Sequence, residues 1–155
     1  MKTSELIGPA LDWAVAKCEG RLHETSGRGA TRFNGVWIDT GHRTGTTYVL
    51  RDARFEEQYS HCDDWPLYAN QKIWAPSTNW AQGGPIIERE KIGILQWEKG
   101  CEGYLCREHE HDYYLQDSLH GREVGPSPLI AAMRCYVASK LGEEVAIPKE
   151  LCNEK

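Results

Sequence analysis

Apolar positions along the chain fall into two helical stripes near its ends, with short strand-like runs between them. After Gly8-Pro9, the segment Ala10 to Gly20 predicts a helix with proline in its first turn and glycine as its stop. At 100° per residue, Leu11, Ala14, Val15 and Cys18 share one narrow face. Trp13 lies about 160° from Leu11 on the same wheel, so it packs against a second element or serves a ligand or subunit contact. The second stripe is broader. Ser127 is placed as an N-cap, Pro128 as the first helical residue and Gly142 as the stop of a helix through Leu141. Leu129, Ala132, Met133, Tyr136, Val137 and Leu141 form its apolar face, flanked by Ile130 and Cys135, and Lys140 complements the dipole in the last turn.

Between these helices, Arg32 to Ile38, Thr46 to Arg51, Gln71 to Ala75 and Ile92 to Trp97 read as strands. A short helix is expected over Asp52 to Gln58. Residues 21–31 are polar with two glycines and read as a loop, and 100–125 as a loop, hairpin or insertion. Glu143 to Pro148 is expected to pack back as an extended tail. Two helices bracketing a set of strands give an α+β fold: one domain over 1–155, with a mainly antiparallel sheet packed against an N-terminal and a C-terminal helix.

Composition adjusts this picture in three places. A chain of 155 residues, 40% hydrophobic and 26% charged, can build a core without disulfides or metal. Six Trp and seven Tyr against two Phe favour aromatics that keep one edge wet. The net charge of −5 argues against non-specific nucleic acid and anionic membranes as partners. No signal peptide or long apolar run is visible, so the six cysteines are expected to be reduced thiols in a cytoplasm.

The stretch Ser77 to Glu90 holds the most candidate chemistry. A polar loop carrying Trp80 passes through Gly83 and Gly84 to Pro85, which is expected to open a short helix. In that arrangement the glycine N–H groups and the helix N-terminus face the loop, as an anion or planar polar ligand requires. Trp80 would stack on a base or sugar, Asn79 and Gln82 would read polar edges, and Ser77 belongs to the same candidates. With Trp13 and Arg134, these residues form the candidate ligand-binding set. The competing reading is a plain connector with Trp80 capping the core.

Cys101, Cys106, His109 and His111 fall within eleven residues and are all zinc-ligating types. Their C-x4-C-x2-H-x-H spacing departs from the usual knuckle pairs, and a solvated Glu-rich loop is the competing reading. Glu88 and Glu90 are either an acid/base pair or first-turn acids favoured by the helix dipole. No nucleophile elbow or phosphate-binding loop is present, so no catalytic residue is assigned and no cofactor is expected.

Two blocks, Ser77-Thr78-Asn79-Trp80-Ala81-Gln82-Gly83-Gly84-Pro85-Ile86-Ile87-Glu88 and Gly125-Pro126-Ser127-Pro128-Leu129-Ile130-Ala131-Ala132-Met133-Arg134-Cys135-Tyr136-Val137, occur with Ala10-Leu11-Asp12-Trp13-Ala14-Val15-Ala16-Lys17. Together they resemble the NinX-like family of phage and prophage proteins. The resemblance implies an accessory gene product in the cytoplasm of a bacterial host, and it implies no activity. The first functional reading is a non-catalytic binder of a small polar, nucleotide-like ligand that sequesters a host defence signal. The alternative is a module that grips a host protein through Trp13, Trp65 and Tyr68, with homo-oligomerisation as a further option. A zinc-dependent or other hydrolase is third.

Overall fold

The computed structural model describes residues 1–22, 35–39, 49–54, 70–105 and 121–152. Helix α1 (Gly8–Cys18) carries its proline in the first turn, and Gly20 at φ +64° ends it. Strands β1 (Gly35–Asp39), β2 (Val49–Arg54) and β3 (Asn70–Ile73) form one antiparallel sheet in that order. Helix α2 (Trp80–Arg89) leads to a second antiparallel sheet of β4 (Ile92–Trp97), β5 (Gly100–Leu105) and β6 (Glu123–Gly125), followed by helix α3 (Pro128–Leu141). Helices and antiparallel sheets in separate blocks make an α+β domain, as the sequence pattern implies.

Helix α3 is the hub, packing on β4, β5, β6, α1 and α2. The Ser127 hydroxyl accepts from the Ile130 N–H at its start, and Gly142 at φ +89° ends it. Between Leu129 and Val137 every residue except Arg134 is buried, so the expected one-sided stripe is in fact an apolar girth. That is the pattern of a helix enclosed on several sides. Small residues let it sit directly on the sheet. A Cβ on Gly103 would lie 2.8 Å from the Ala131 carbonyl oxygen, and one on Gly125 would lie 2.6 Å from the Ala131 nitrogen.

The chain ends are fastened to each other. The Thr3 N–H donates to Glu143 O (2.8 Å), the Val145 N–H to Met1 O (3.0 Å), and the Thr3 hydroxyl to Gly142 O (2.7 Å). Val145 is buried, so the tail packs back as expected.

Two local expectations change. The helix expected over Asp52 to Gln58 is not formed in its described part, because β2 runs to Arg54, paired with β1 on one side and β3 on the other. Two ladders outweigh a weak helical period. The segment 100–125 begins and ends in strands, β5 and β6, which pair with each other through Cys101–Gly125 to Gly103–Glu123. Residues 106–120 lie outside the described residues, as do 23–31 of the expected N-terminal loop.

Candidate functional site

The stretch that begins at Ser77 is organised by a helix that starts five residues earlier than proline placement suggests. Asn79 is the N-cap of α2, and its side-chain oxygen accepts from the Ala81 N–H at 3.0 Å. The Gln82 and Gly83 N–H groups donate to Asn79 O at 3.0 and 2.9 Å. Pro85 therefore lies inside the helix rather than at its first position. Gly83 and Gly84 are helical, and the Gly83 N–H faces the Asn79 carbonyl rather than a ligand. A Cβ on Gly83 would stand 2.4 Å from Pro76 O and 2.8 Å from Leu129 Cδ2. Glycine is needed here for close packing of α2, not for an anion cradle.

The residues leading into α2 form a hydrogen-bonded brace. The Gln82 side chain accepts from the Ala75 N–H and donates to Ile73 O, both at 2.7 Å. Trp74 is buried, and its indole N–H donates to Asp12 O at 2.9 Å. The Ser77 N–H donates to Asp12 Oδ1 at 2.8 Å. Together these contacts tie the end of β3 to α1 and α2.

Asp12 was not among the sequence candidates. It precedes Val15 and Ala16 by three and four residues, and a charge on that buried face is the signal that would have marked it. It is only 4% exposed. Burial raises its carboxyl from 3.8 to about 6, against the opposing pull of the Ser77 N–H and hydroxyl, which favour the charged form. The Ser77 hydroxyl lies near that carboxylate but makes no hydrogen bond of acceptable geometry, and Ser77 is itself buried. Ser77 is therefore part of the interior.

Trp80 does not cap the core. It is 56% exposed, on the first turn of α2, with Gly84 beneath the edge of its ring and exposed Thr78, Asn79 and Ala81 around it. Among the loop candidates it is the large apolar side chain left open to a partner, beside the exposed Asn79.

The remaining candidates lie elsewhere. Trp13 is half-buried against the core, with Lys17 Nζ 5.4 Å from its ring centroid. Arg134 donates to Leu6 O at 2.8 Å and to Val124 O at 2.6 Å, which places it on the β6 side of α3. Burial lowers its guanidinium below the usual range while Glu123 opposes that shift. Cys101 is buried on β5, whereas Cys106, His109 and His111 lie outside the described residues, as do Trp65 and Tyr68.

A second cluster, also unforeseen, joins the C-terminal ends of all three helices. Arg89 grips Glu19 through both terminal guanidinium nitrogens (2.6 and 3.2 Å) and donates through Nε to Glu90 at 3.0 Å, while Lys140 pairs with Glu90 at 3.0 Å. The Tyr136 hydroxyl donates to Glu19 at 2.5 Å. Burial and the Glu19 carboxylate together push the Tyr136 phenol well above its ordinary value. Burial would raise the Glu90 carboxyl, but Lys140 and Arg89 outweigh it and hold the group below its ordinary value. Glu88 and Glu90 thus stand at the end of α2, not in its first turn as expected. There the helix dipole disfavours acids, and Arg89 and Lys140 offset this at Glu90. The cluster is a charge-paired structural junction.

The model of the family described as Bacteriophage P22, NinX matches residues 2–140, which takes in all three helices nearly to the end of α3. No curated protein matches the chain. Among the described residues, no helix is long and apolar enough to cross a membrane.

Proposed function

We propose that the chain, which belongs to the Bacteriophage P22 NinX family and is a phage accessory protein, is a non-catalytic module that binds another polypeptide through Trp80. The supporting observation is an indole 56% exposed on a helix turn that is itself braced by Asn79, Gln82 and Asp12. Interface anchors are typically aromatic, and a side chain presented on rigid backbone loses little freedom on binding. The hydrogen-bonding groups that a polar ligand would use are engaged or enclosed: the Asn79 oxygen caps α2, both ends of the Gln82 amide serve Ile73 and Ala75, and Ser77 is buried. A protein of the bacterial host is the partner this reading favours.

The exposed indole face also supports a second reading, in which a planar nucleotide-like ligand stacks on Trp80 and a host defence signal is thereby sequestered. One experiment separates the two. Tagged wild type and Trp80→Ala, matched for melting temperature, are incubated in host lysate, and wild type is screened by thermal shift against nucleotides and cyclic signals. A polypeptide recovered by wild type and lost in the variant supports the interaction module. A nucleotide that stabilises wild type but not the variant, with no polypeptide recovered, supports the second reading and overturns the first.

A further inference from the structure

We draw no further inference here: the strongest candidate, the buried side-chain cluster of Asp12 and Ser77 where α1 meets the turn into α2, belongs to the brace already described and beyond it rests only on the raised pKa of the Asp12 carboxyl.

Discussion

Replacing Asp12 with asparagine separates the two roles of that carboxylate. Asn keeps an oxygen for the Ser77 N–H, now at 2.8 Å from Asp12 Oδ1, while removing a charge that is almost wholly buried. The carboxyl lies at about 6 in the fold against an ordinary 3.8. At about 1.36 kcal/mol per pKa unit, the ionised form is disfavoured in the fold by about 3 kcal/mol. A folded-state value above the unfolded one means that the native state holds the extra proton between the two. Stability from this group is therefore present below 3.8, falls as pH rises towards about 6, and is absent above it. Asp12→Asn does not titrate, so its advantage over wild type should grow by about 2 kcal/mol from about pH 4.5 to about pH 7.5. Urea denaturation of both proteins at the two pH values measures the difference. An advantage that stays constant or shrinks over that range would refute the buried-charge argument. Asp12→Ala, which leaves the buried Ser77 N–H without an acceptor, should instead be destabilised at both.

Three further outcomes follow from contacts around α2. Gly83→Ala should lower stability by about 1–3 kcal/mol in thermal melts, because its Cβ would press on the Pro76 carbonyl and Leu129. Gly84→Ala should be destabilised less than Gly83→Ala in the same melts, because its Cβ meets only Trp80, at 3.9 Å, beyond its chain neighbours; crowding against the following Pro85 offsets the roughly 0.5–1 kcal/mol of helix propensity. Arg89→Ala should cost no more than about 1 kcal/mol, since the arginine side chain is half exposed, and the loss should diminish in high salt.

What the sequence revealed follows local chemistry. Helix α3 is bounded by signals that act without neighbours: a serine cap, a proline in the first turn and a glycine at positive φ. Strand β4 matches its predicted span because its apolar run is bounded by charged residues on both sides. Helix α2 shows the opposite case. Gly-Gly-Pro reads as a breaker by propensity, yet the Asn79 cap and the fit of Gly83 against Pro76 and Leu129 carry the helix through it. The cap lies within residues 77–90, but the contact of Gly83 with Leu129 does not, so no window over that stretch contains it. Within the stretch Ser77 to Glu90, the polar side chains of Asn79 and Gln82 brace the start of α2 and the Ser77 N–H is tied to Asp12, contacts that composition does not display. The Asp12–Ser77 contact joins residues 65 apart, and the Glu19–Arg89 pair residues 70 apart, which is why neither was visible as a motif.

In the proposed function Trp80 is a presented anchor and not a structural residue. Its most direct test is calorimetric titration of the polypeptide recovered from host lysate against wild type and Trp80→Ala. An anchor of this kind contributes at least about 2 kcal/mol, so the variant should bind at least about thirtyfold more weakly while melting at the wild-type temperature. Equal affinity of the two proteins for that polypeptide would contradict it.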